Sequence, residues 1–114
     1  MGMESKYIWM DGQLVEFEKA SVHFLTAALH YGLGVFEGIR CYRTSRGPAI
    51  FRLVDHIQRL INSARITGMD NHPYTAEQLA EAVCETVSAN QFQSCYIRPL
   101  IYHTAKGPGL SLIG

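Results

Sequence analysis

A few side chains in this sequence have the types and spacing to grip an anion. Tyr96 and Arg98 stand two residues apart in the run Cys95-Tyr96-Ile97-Arg98-Pro99-Leu100. On a strand such residues point to one face, so a phenol and a guanidinium would sit side by side, a pair suited to a carboxylate. The same spacing also fits a half-buried edge strand with its polar ends in water. Arg59 borders the apolar stripe of a helix and should emerge at its margin. There a guanidinium can hold a phosphate or carboxylate through two parallel bonds, or simply be solvated. Tyr31 and Phe36 flank Gly32-Leu33-Gly34 and could line an apolar pocket, or pack in a core.

Other chemistries lack their residues. The five histidines, at 23, 30, 56, 72 and 103, form no motif with a carboxylate at metal spacing, and no metal is expected. Cys41, Cys84 and Cys95 are far apart, with no CxxC or Cys/His pair at zinc spacing. They read as small buried hydrophobes in a reducing compartment. No GxSxG, P-loop or helix-opening GxGxxG occurs.

Composition narrows the partners. Ten basic residues balance ten acidic ones, which removes the electrostatic reason to expect nucleic acid or a membrane surface as partner. No apolar run approaches the ~20 residues of a bilayer span. The start, MGMESKYIW, carries Glu4 and no apolar h-region, so it does not read as a secretory signal. The expectation is a cytoplasmic protein of one domain, since 114 residues hold one core.

The elements that must position these side chains follow from pattern. Tyr7 to Met10 and Gln13 to Phe17 flank Asp11-Gly12 and predict a hairpin with a type I′ turn. His23 to Tyr31 could hold a helical turn. Val35 to Arg43 predicts a strand, with Gly38 marking a bulge or a close approach. A turn at 44–48 and a short strand at Ala49 to Arg52 come next. Leu53, Ile57, Leu60, Ile61 and Ala64 form one apolar helical stripe, with Gly68 as its stop. Thr75-Ala76-Glu77-Gln78 is a capping box opening a helix that buries Leu79, Ala82, Val83 and Val87 and ends near Asn90. Cys95 to Tyr102 predicts a last strand, put at an edge or bulge by Pro99. Leu110 to Ile113 reads like the opening of a further strand. The order predicts an α+β fold, an antiparallel sheet with two helices packed on one face.

The local sequence says more. Ala28-Leu29-His30-Tyr31-Gly32-Leu33-Gly34-Val35-Phe36-Glu37-Gly38-Ile39-Arg40-Cys41-Tyr42 resembles the signature run of the branched-chain amino acid aminotransferases, pyridoxal-phosphate enzymes of fold type IV. Three further segments match in order and spacing: Tyr7-Ile8-Trp9 with its Asp-Gly turn, Gly47 to Arg52 leading to His56-Ile57-Gln58-Arg59-Leu60, and Ser94 to Leu100. The resemblance covers roughly residues 7–103. It implies that Arg59 binds the phosphate of pyridoxal 5'-phosphate. It implies that Tyr96 and Arg98 help hold substrate carboxylates, with Arg98 engaging the side-chain carboxylate of glutamate. Phe36 would form a wall of the apolar pocket, and Tyr31 would reach the pocket of a neighbouring subunit in a dimer or multiple of dimers. Glu37 and Arg40 are left as structural support for the loop. The substrates implied are leucine, isoleucine or valine with glutamate and 2-oxoglutarate.

The chain departs from that family in one respect. Lys6, Lys19 and Lys106 are its lysines, and none matches the Schiff-base lysine, which the family carries in a second, larger domain. No catalytic residue is therefore assigned. The expectation is an N-terminal small domain over 1–103, with 104–114 the truncated start of an interdomain segment, and no transaminase activity from this chain alone. The alternatives are a same-fold aminodeoxychorismate lyase or D-amino acid aminotransferase, or a standalone binding or dimerisation domain.

Overall fold

The computed structural model describes residues 5–104 and 108–113. The readings of Glu4 and Lys106 lie outside the described residues. The chain opens with a hairpin, β1 (Tyr7–Met10) and β2 (Gln13–Glu16). Its turn residues Asp11 and Gly12 both have positive φ, 50° and 97°, as a type I′ turn requires. A 3-10 turn, Phe17–Lys19, leads to the short helix α1 (Ala27–Tyr31). β3 (Gly34–Phe36), β4 (Ile39–Thr44) and β5 (Gly47–Ile50) follow. Two long helices come next, α2 (Leu53–Ile66) and α3 (Ala76–Ala89), then β6 (Cys95–His103) and β7 (Pro108–Ile113).

The helix ends obey their sequence signals. Thr75 Oγ1 accepts from the Gln78 amide and the Gln78 side chain accepts from the Thr75 amide. α2 ends in a Schellman motif: the Gly68 amide donates to the Arg65 carbonyl and the Met69 amide to the Ala64 carbonyl. Gly68 takes the left-handed φ of 77° that this end needs.

The strands form one antiparallel sheet in the order β2-β1-β7-β6-β4-β5, with β3 also on β6. Both long helices pack on one face. Ile57, Leu60 and Ala64 of α2 and Leu79, Val83 and Val87 of α3 join Trp9, Ile39, Cys41, Ile97, Ile101 and Leu110 in a single core. The α+β expectation holds. Residues 108–113, read from sequence as part of an interdomain segment, form the strand between β1 and β6.

Pro99 is not at an edge, because β6 lies inside the sheet. In an antiparallel pair a residue's N–H and C=O point the same way. The Pro99 carbonyl accepts from the Glu37 amide, so its nitrogen, which carries no hydrogen, also faces Glu37. The ladder loses one bond there. That loss divides the strand predicted over Val35 to Arg43 into β3 and β4. Phe36 faces Leu100 before the break and Ile39 faces Ile97 after it. The register is unchanged, so Gly38 marks no bulge.

Candidate functional site

The interruption between β3 and β4 organises two clusters, one on each face of the sheet. Phe36 and Glu37 are consecutive, so their side chains leave the strand in opposite directions.

On the face away from the long helices, Phe36, Arg40, Tyr96 and Arg98 gather. The Arg98 guanidinium lies 4.6 Å from the centre of the Phe36 ring and 5.6 Å from that of Tyr96. Its Nη2 donates to Tyr96 Oη at 3.3 Å. Arg40 also lies 5.6 Å from the centre of the Tyr96 ring. Arg98 Nε is buried and has no hydrogen-bond partner among the described residues. Buried donors are ordinarily satisfied, so this guanidinium is held on aromatic faces with donor capacity to spare.

Gly38 makes room for the arrangement. A Cβ there would stand 2.7 Å from Tyr96 Oη and 3.0 Å from the ring edge. The close approach at Gly38 is made by the Tyr96 side chain rather than by a ligand or another backbone.

On the helix face, Glu37 points inward and is only 6% exposed. A carboxylate so buried must be paired. Arg59 grips it with both edges, Nε to Oε2 at 2.6 Å and Nη2 to Oε1 at 2.8 Å. His56 Nδ1 reaches Oε1 at 2.9 Å. An ionised carboxylate only accepts, so the proton of the imidazole resides on Nδ1. The Arg59 bonds hold the Glu37 carboxyl below the usual carboxylate range, burial opposes them, and the His56 bond adds to the lowering. The Arg59 side chain remains 68% exposed. It borders an open cavity of about 380 Å³ lined with Phe51, Arg52, Asp55 and His56.

Phe36, Tyr96 and Arg98 therefore meet, whereas Arg59 belongs to the separate cluster around Glu37. Tyr31 closes α1, is 78% exposed and has the His30 ring as neighbour at 6.2 Å. The sequence reading left Glu37 as structural support and assigned no part to His56; the pairing of both with Arg59 it did not give. One signal was present: in Val35-x-Glu37-x-Ile39-x-Cys41 the glutamate falls on the apolar face of its strand, which calls for a cationic partner.

Burial pushes the Cys95 thiol up to about 11 and raises that of Cys41. The two face each other across β4 and β6. Among the described residues no cluster could hold a metal ion, and no helix is long and apolar enough to cross a membrane.

The chain is an antiparallel α+β domain with two arginine clusters beside an interrupted strand. Residues 34–112 match the family of class IV amino-transferases, and the chain belongs to it. It is 47% identical to the branched-chain-amino-acid aminotransferase of Pseudomonas aeruginosa over 94% of its own length and 34% of that protein. Its fold matches the crystal structure of the Escherichia coli branched-chain amino acid aminotransferase with a TM-score of 0.91 and 38% identity, over 96% of this chain and 39% of that one. It matches the branched-chain aminotransferase of the thermophilic archaeon Thermoproteus uzoniensis, in a structure with norvaline, with a TM-score of 0.87 and 44% identity, over 95% and 39%. The chain spans about a third of the length of the curated relatives it matches.

Proposed function

We propose that this chain is the small N-terminal domain of a branched-chain amino acid aminotransferase, a dimer or multiple of dimers. The full protein would exchange the amino group between leucine, isoleucine or valine and 2-oxoglutarate. The observation that carries the reading is the Arg98 guanidinium stacked on Phe36 and Tyr96 with an unpaired Nε. A pocket that takes both a branched aliphatic side chain and a glutamate side chain needs an apolar wall with a cation folded against it. Phe36 and Arg98 supply that combination.

Pyridoxal 5'-phosphate would supply the electron sink for the amino transfer, and its covalent lysine would come from a further domain. Arg59 fits the cofactor's phosphate. It has five N–H donors, of which Glu37 takes two, leaving three outside that bond. Arg98 would meet the side-chain carboxylate of glutamate through its free donors. The Tyr96 hydroxyl would orient a carboxylate and fix Arg98 at the same time. Phe36 would exclude water from the aliphatic side chain, which strengthens each charged contact beside it. The exposed ring of Tyr31 would serve the pocket of a neighbouring subunit.

The test is an assay of the purified full-length protein with leucine and 2-oxoglutarate, beside one with D-alanine. Turnover of leucine but not D-alanine is expected, and the 114-residue chain alone should be inactive. Activity with D-alanine and none with leucine would sink the reading.

A further inference from the structure

We propose that Glu37 and His56 are positioning residues that hold the Arg59 guanidinium in one orientation, so that its remaining N–H groups form a preset phosphoryl-binding edge. The inference rests on the reading of Arg59 as the phosphate arginine and goes beyond it.

Arg59 sits on an exposed helix margin, where a long side chain samples many rotamers. Here two parallel bonds of 2.6 and 2.8 Å fix it to a buried carboxylate. Glu37 cannot follow Arg59 into solvent: its amide donates to the Pro99 carbonyl, and Phe36 and Ile39, which flank the interruption it occupies, are held in register with β6. His56, one helical turn before Arg59, adds a second donor to Oε1 at 2.9 Å. The carboxylate is therefore anchored from the strand and from the helix, and the guanidinium inherits that anchorage. A fork used on one edge by a fixed carboxylate offers its other edge in a fixed plane, the geometry that a bidentate phosphoryl contact requires.

Electrostatics alone predicts the opposite consequence for a substitution. Glu37 cancels the charge of Arg59, so if its only effect were charge, removing the charge would strengthen phosphate binding. If it acts by orientation, removal weakens binding.

The experiment is a titration of the full-length apoprotein with pyridoxal 5'-phosphate and, separately, with pyridoxal, which lacks the phosphate, followed by absorbance. The quantity read is the ratio of the two dissociation constants. Glu37→Gln should lower the preference for the phosphorylated form by about tenfold, equivalent to about 1.4 kcal/mol, while leaving the affinity for pyridoxal unchanged. His56→Phe should give a smaller loss of the same kind. If Glu37→Gln does not fold, Glu37→Asp replaces it. It keeps the charge but withdraws the carboxylate by one methylene, and should lose discrimination too. An unchanged or increased ratio in these variants overturns the positioning role, as does equal weakening of both ligands. If the unsubstituted protein shows no preference for the phosphorylated form, the assignment of Arg59 to the phosphate falls instead.

Discussion

Arg98 lies over the ring of Phe36 at 4.6 Å, so that a charged side chain covers an aromatic face. The two residues come from neighbouring strands, and each limits where the other can go. In the full-length enzyme, Arg98→Met should spare the leucine half-reaction within a few-fold. The half-reaction with 2-oxoglutarate should lose about a hundredfold in kcat/KM, the value of one buried charge-assisted contact. Separate single-turnover measurements on the two substrates check this. Equal losses on both would remove Arg98 from carboxylate selection.

Gly38 leaves no room for even a methyl group. An alanine Cβ would collide with Tyr96 Oη at 2.7 Å. The ring must then swing away, taking with it the hydroxyl that accepts from Arg98. Gly38→Ala is expected to raise KM for both substrates at least tenfold, with a stability change of about 1–3 kcal/mol from overpacking. Wild-type kinetics in this variant would show that the tyrosine position is not critical.

Acid should weaken the fold through the Glu37 cluster. The folded carboxyl titrates lower than its unfolded counterpart. Its contribution to stability is therefore present above the unfolded value and is lost as pH falls through the lower folded one. Glu37→Gln removes this term. Unfolding titrations between pH 6 and roughly pH 3 should show a smaller loss of stability for the variant than for the parent. Parallel curves would count against the linkage.

The side chain of Asn90 ties the N-terminal strand to the end of α3. Its Oδ1 accepts from the Lys6 and Tyr7 amides at 2.7 and 3.0 Å, and its Nδ2 donates to the Tyr7 and Thr86 carbonyls at 3.0 and 2.8 Å. Asn90→Ala strands these backbone groups and should cost about 3 kcal/mol, lowering Tm by roughly 15 °C. Differential scanning calorimetry reads the change directly.

Thiol chemistry should rank the cysteines by burial. Cys84 is exposed, whereas Cys41 and Cys95 carry raised thiols. Timed alkylation at about pH 8 with mass spectrometric readout should modify Cys84 first and the other two slowly. Early labelling of Cys41 would contradict the packing described here.

Local physics made much of the fold readable. Asp11-Gly12, the Thr75–Gln78 box and the stripe from Leu53 to Ala64 each state a requirement that neighbours alone can satisfy, and each is met. Pro99 was harder. A missing donor suits an edge, and only the pairing with Glu37 reveals that a proline can lie inside a sheet opposite a gap in the ladder. Tyr96 and Arg98 share a strand face, as their spacing of two requires, but the spacing fitted a solvated edge strand as well, and their role came from the resemblance. The bond from Arg59 to Glu37 spans 22 residues, and no periodicity encodes such a pairing; the misplaced charge on an apolar strand face was the available clue.

The sheet order carries a consequence for how the chain comes together during synthesis. β1 pairs with β2 and with β7, so the first hairpin made has its place in the sheet reserved by the last of these strands to leave the ribosome. Asp11 closes that arrangement from both sides, its amide donating to the Leu110 carbonyl and its carboxylate accepting from the Leu110 amide. Until residue 113 emerges, the flank of β6 that β7 will cover stays unpaired, and the hairpin leans on the Asn90 clamp. Contacts at so large a sequence separation are slow to form.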